Sequence, residues 1–188
     1  ALSSRDGLLS PEIGRSQQEG LMSQSAAMAP AGSLVLRVTL AAILAVHALH
    51  QLFGFFGGPA LGPGGLTAST TYYAALGVGG AFYFVLATGI LQLAAAVLIA
   101  AGWFARPAAG VQIVVEVLRI AFDSARWGFF LNWALDPTRG HGIEFGTVVL
   151  AILTWLVLAG AGDWSIDGAK ARSRASLALG RARLRERI

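Results

Sequence analysis

Four apolar runs, separated by stretches rich in glycine, proline or charge, set the organisation of the chain. The first spans Ser33 to Phe53, with Arg37, His47, His50 and Gln51 as its strongly polar residues. The second covers Leu76 to Ala101, with Gln92 as its one strongly polar member. The third, Pro107 to Phe122, is interrupted by Gln112, Glu116 and Arg119. The fourth is Ile143 to Ala161 and ends at Gly160, Gly162 and Asp163. About 20 apolar residues in a helix cross the hydrocarbon core of a bilayer. The pattern therefore predicts an all-α integral membrane protein, a four-transmembrane-helix bundle.

The intervening stretches predict tails and loops. Residues 1–32 are rich in Ser, Gln and Gly and lack an apolar stripe, which predicts a flexible N-terminal tail. No short apolar segment sits there between a basic start and a cleavage site, so a signal peptide is not expected; Met22 and Met28 stand as candidate starts. Gly54 to Tyr73 holds six Gly, two Pro and no charge, and reads as a loop. Gly102 to Arg106 is a short turn, and Pro107 suits the first position of the next helix. Asp123 to Gly142 is a second loop, where Trp127, Phe129, Phe130 and Trp133 cluster as aromatics do at a membrane–water boundary. The division is thus an N-terminal tail (1–32), a membrane domain (33–168) and a basic tail (169–188).

Composition agrees. Of the 188 residues 55% are hydrophobic and only 13% charged, against roughly 25% charged in a soluble domain, and mean hydropathy is +0.64. The net charge of +4 is gathered at one end: from Lys170 onward there are seven Lys or Arg and one acid, Glu186. A basic tail directly after an apolar run points to anionic lipid headgroups or a partner surface, not to nucleic acid. Arg5, Arg15, Arg37, Arg106 and the tail fall on one side of four spans, and Arg126 and Arg139 on the other. By the positive-inside rule both termini are cytoplasmic, in a bacterial-type inner membrane. The chain has no cysteine, which removes disulfides, thiol redox pairs and Cys-ligated metal centres.

Polar residues at membrane depth are costly and mark sites or structural pairs. His47, His50 and Gln51 lie at i, i+3 and i+4 on one helical face, spaced either to hold a quinone headgroup or a lipid, or to cap the helix end. Glu116 and Arg119, i and i+3, are expected to form a structural ion pair. Gln92 and Gln112 read as amides that join neighbouring helices. His141 and Glu144 begin the fourth helix, where a carboxylate also suits the helix dipole. With the loops on one face, His50, Gln51 and Glu144 share one end of the bundle. Haem is disfavoured, because His47 and His50 share a helix and cannot sandwich one iron. No nucleotide, zinc-protease or serine-nucleophile motif is present, so no catalytic or metal residue is assigned.

Several segments resemble the DoxX family. His47-Ala-Leu-His-Gln-Leu-Phe-Gly-Phe-Phe-Gly-Gly58 is similar to the end of that family's first helix. Arg126-Trp-Gly-Phe-Phe-Leu-Asn-Trp133 resembles its aromatic loop. Gly142-Ile-Glu-Phe145 and Gly160-Ala-Gly-Asp-Trp-Ser-Ile-Asp167 resemble its fourth helix and closing signature. The order and spacing agree over residues 33–168. The chain departs at Gln51, where the family tends to carry Lys, and at Gln92, where it often carries Glu. The resemblance implies four membrane helices and a link to quinone-coupled or other membrane oxidoreductase assemblies. With those charges replaced, the expectation is a non-catalytic accessory subunit of a larger membrane electron-transfer complex, respiratory or photosynthetic, contacting lipids and other integral membrane subunits. The alternative is a quinone-linked oxidoreductase subunit using His47, His50, Gln51 and Glu144. A transporter, resting on Glu116 and Arg119, lacks a visible inverted repeat.

Overall fold

The computed structural model describes residues 11–57, 64–136 and 138–185. Expectations for residues 1–10, Gly58, Glu186 and Arg187 lie outside them. Among the described residues six α-helices follow one another: α1 (Pro11–Phe53), α2 (Leu66–Ala75), α3 (Ala81–Ala101), α4 (Ala105–Phe122), α5 (Glu144–Ala159) and α6 (Ile166–Arg185). A short 3-10 helix, Ser124–Trp127, precedes the aromatic loop. No strand occurs among the described residues.

Several boundaries differ from the sequence reading: α3 begins at Ala81 and not at Leu76, α4 begins at Ala105 and not at Pro107, and three differences are larger. The first helix does not begin near Ser33 but at Pro11, so residues 11–32 are not a flexible tail. Proline fits the first helical position, and the Gln, Glu, Met and Ala that follow are good helix formers. Polar residues without an apolar stripe signal a missing core face, not a missing helix. The 43 residues of α1 span roughly 65 Å at 1.5 Å each. Second, the stretch before Tyr73 is not all loop. Its Gly and Pro end at Gly65, and the unbroken Leu66–Ala75 forms α2. Third, the basic tail is helical over Ile166–Arg185.

α1 packs on α3, α3 on α4 and α4 on α5, with α5 returning to α1. Neighbours are antiparallel: Gln51 near the end of α1 meets Val85 and Thr88 near the start of α3, while Arg106 at the start of α4 meets Leu158 at the end of α5. Leu40, Leu44, Ile99, Leu153 and Leu156 fill the centre, all at most 2% exposed. Ala95, Ala96, Ala108 and Ala109 line the same core, and such small residues let backbones approach closely. A smaller cluster of Tyr73, Val78, Ala81 and Val85 seats α2 against α3.

The outward faces are apolar as well. Val35, Ile90, Val97, Val114, Val148 and Leu158 all stand exposed. Water disfavours so much exposed apolar surface, whereas lipid solvates it. Among the described residues two helices have the length and hydropathy to cross a membrane, Met28–Phe53 within α1 and Ala81–Ala101; Glu144–Ala159 is apolar but shorter. α4, with 18 residues, carries Arg106, Glu116 and Arg119.

Candidate functional site

Polar side chains gather at three levels of the bundle. At the first, Arg37 is 2% exposed and sends Nη1 to the Ala161 carbonyl at 2.7 Å and Nη2 to the Trp164 carbonyl at 2.8 Å. These carbonyls belong to the turn between α5 and α6, so the guanidinium pins that turn against α1. Ser33 Oγ donates to the same Ala161 oxygen at 3.2 Å. Asp167 accepts the backbone N–H groups of Phe104 (3.2 Å) and Ala105 (3.1 Å), capping the start of α4. Gly102 makes the join possible. Its φ of +63° is left-handed, and a Cβ there would collide with Ser165 Cβ and Arg37 Nη1. The closing signature Gly160–Asp167 is thus a clasp tying α1, α3, α4 and α5.

At the middle level, Arg119 Nη1 donates to Gln92 Oε1 at 3.1 Å. The expected ion pair with Glu116 is not made: among the described residues the one carboxylate–guanidinium pair within 4.0 Å is Arg172–Asp163, on the surface. Residues three apart on one helix can meet, but Arg119 turns toward α3 and takes the neutral amide there. Glu116 is buried and packs toward α5, where a Cβ on Gly146 would meet its Oε1 at 3.1 Å. Gln92 therefore joins helices as expected. Gln112 does not: it is fully buried, and among the described residues neither amide atom has a partner.

At the third level stand His47, His50, Gln51 and Glu144. Gln51 Nε2 donates to the Val85 carbonyl at 2.7 Å and to Thr88 Oγ1 at 2.9 Å. His50 Nδ1 lies 3.1 Å from the Phe55 carbonyl, and that geometry requires the nitrogen to carry the proton. Glu144 Oε2 accepts the Leu131 N–H at 3.0 Å. Its own N–H reaches the Phe129 carbonyl at 2.8 Å. His141 Nδ1 accepts the Asn132 N–H at 3.2 Å, so both residues at the head of α5 hold the aromatic loop. Gly142 is enclosed by that loop, with a Cβ position 2.5 Å from the Gly128 carbonyl. His47 differs: half-buried, its ring lies 6.1 Å from that of Phe145, and among the described residues it has no hydrogen-bond partner.

Three of the four residues expected at a quinone or lipid pocket thus hold backbone in place. A groove of about 230 Å³ lies at the opposite end, lined by Pro30, Ser33, Trp155, Gly160 and Asp163 among others. Sequence reasoning quoted Arg37 and Asp167 without finding their clasp. The signal was a buried arginine facing a Gly-x-Gly turn followed by Ser-x-Asp, the pattern of a helix cap.

The DoxX family model matches residues 32–123, from the lower part of α1 to the end of α4. The aromatic loop, the head of α5 and the clasp sequence lie beyond the matched segment. Neither a curated protein nor a solved structure matches the chain. DoxX is a family of membrane proteins, and the apolar helices with their lipid-like outer faces agree with that. Residues 32–123 of this chain are similar to the DoxX family.

Proposed function

We propose that the chain is a non-catalytic accessory subunit of a larger membrane electron-transfer complex. In this reading α1, α3, α4 and α5 each cross the inner membrane. Both termini lie at the cytoplasmic face beside Arg37 and Arg106, and the aromatic loop lies at the opposite face. The observation that carries it is the length of α1. Ser33 still bonds to Ala161 and Pro30 shares a groove with Trp155. Yet α1 continues for 19 further residues to Pro11, roughly 28 Å of helix. A helix running so far past its bundle suits a partner that covers it. The polar residues support the same reading, since Gln51, His50 and Glu144 are spent on the fold.

The test is removal of residues 1–27 in the native host. Co-purification of the partner subunits should fall sharply, while Glu144→Gln and His50→Ala leave it unchanged. Undiminished assembly without residues 1–27 overturns the proposal.

A quinone-linked role is the second reading, and His47 favours it. Its imidazole is half-buried against Phe145 and open to a ligand carbonyl. That reading requires that the purified protein carries quinone and that His47→Ala loses it.

A further inference from the structure

Helix α6 leaves the bundle at the clasp, and its start is fixed. Asp167 in its first turn caps α4, and Ser165 Oγ accepts the Gly168 N–H at 2.9 Å. The Lys170 ammonium stands over the Trp103 and Phe104 rings, 5.3 and 5.9 Å from their centroids. Trp103, Phe104 and Trp164 are exposed around this root, and aromatics so placed belong to the headgroup level of a bilayer. Arg172 still donates to the Asp163 carbonyl at 2.7 Å and pairs with its carboxylate at 3.8 Å; past it the helix stands free, and every residue from Ala171 to Arg185 is exposed.

The charge is one-sided. Lys170, Arg172, Arg174, Arg181, Arg183 and Arg185 carry no acidic neighbour between Gly168 and Arg185. Lys170, Arg174, Arg181 and Arg185 recur at helical spacing as one stripe. Leu177 and Leu184, seven residues apart and 63% and 64% exposed, form the stripe beside it. Long basic side chains next to leucines can reach phosphate while the leucines enter the acyl boundary.

We infer that α6 is a membrane-surface helix that binds the headgroups of anionic phospholipids at the face where the clasp lies. Charge complementarity and a root held at the aromatic headgroup level argue for a lipid surface over a soluble partner. The inference rests on the bundle being inserted in a bilayer, independently of any complex.

The chain has no cysteine, so Ser173→Cys on full-length protein takes a single polarity-sensitive fluorophore. The labelled protein is reconstituted into nanodiscs of phosphatidylcholine alone and of phosphatidylcholine with phosphatidylglycerol. Its association with purified discs checks insertion separately. With the anionic lipid, emission should shift blue and a lipid-borne quencher should reach the label. Both effects should vanish in about 0.5 M salt, where screening is strong, and in a variant with the six basic residues changed to Gln. A label equally dry in both bilayers makes the contact apolar and overturns the inference. So does a label that stays wet in both, or is protected only by added DNA. If the protein fails to associate with either disc, the membrane reading itself is wrong.

Discussion

Arg37 and Asp167 work one end of the bundle as a complementary pair: the cation takes the carbonyls after α5, and the carboxylate takes the amides that begin α4. The carboxylate also suits the dipole at the start of α4. They come from opposite ends of the chain and close the packing of α1, α3, α4 and α5 at that face.

Replacing Arg37 with Leu leaves two carbonyls without charged donors. Unfolding in detergent should show a loss of about 2–3 kcal/mol, the scale of hydrogen bonds to a charged group. Arg37→Lys should recover only part, because an ammonium cannot fork between two carbonyls. A full-strength Arg37→Leu protein contradicts the clasp.

Asp167→Ala should cost about 1 kcal/mol, as for a lost N-cap. Faster hydrogen exchange is expected at Phe104 and Ala105 and not in the middle of α4. Asp167→Asn, which keeps an acceptor, should lie between.

At the other end, Glu144→Gln should leave the aromatic loop in place, since the amide oxygen still accepts from Leu131. Glu144→Ala should loosen residues 128–133, read as faster proteolysis or amide exchange there. Equal loss of function in both variants, with the loop intact, would instead place the carboxylate in chemistry.

In the loop, the Asp136 carboxyl is held below the usual carboxylate range, first by the Thr138 hydroxyl, then by the Thr138 N–H, with Arg139 adding to it. A depressed folded-state pKa contributes order above the unfolded value, near pH 3.9, and loses it as pH falls through the folded value. The Asp136 carboxyl carbon should therefore titrate below free aspartate by NMR, and in Thr138→Ala it should move back up.

Much of this fold was legible in the sequence, because the bilayer demands runs that hydropathy reads directly. The C-terminal ends of α3 and α5 follow from Gly102 and Gly160, whereas α4 begins at Ala105, two residues before Pro107. The upper part of α1 was not legible: a helix without an apolar stripe resembles a tail until Pro11 and its helix-forming neighbours are weighed. α2 was hidden because the glycines and prolines up to Gly65 coloured the residues after them. Among polar residues, spacing on one helix suggested Glu116 with Arg119, yet the choice of partner depends on α3, which places Gln92 within reach. Spacing also grouped His50, Gln51 and Glu144. It could not reveal that each faces a backbone group, His50 in the turn that follows α1 and Gln51 and Glu144 in other segments, information that exists only once the chain is folded.

The central claim is a partnership, and native purification in mild detergent with mass spectrometry of every retained component tests it most directly. The account predicts electron-transfer subunits in fixed stoichiometry with this chain. A lone protein, or a homo-oligomer carrying quinone, would contradict it and make His47 the residue to pursue.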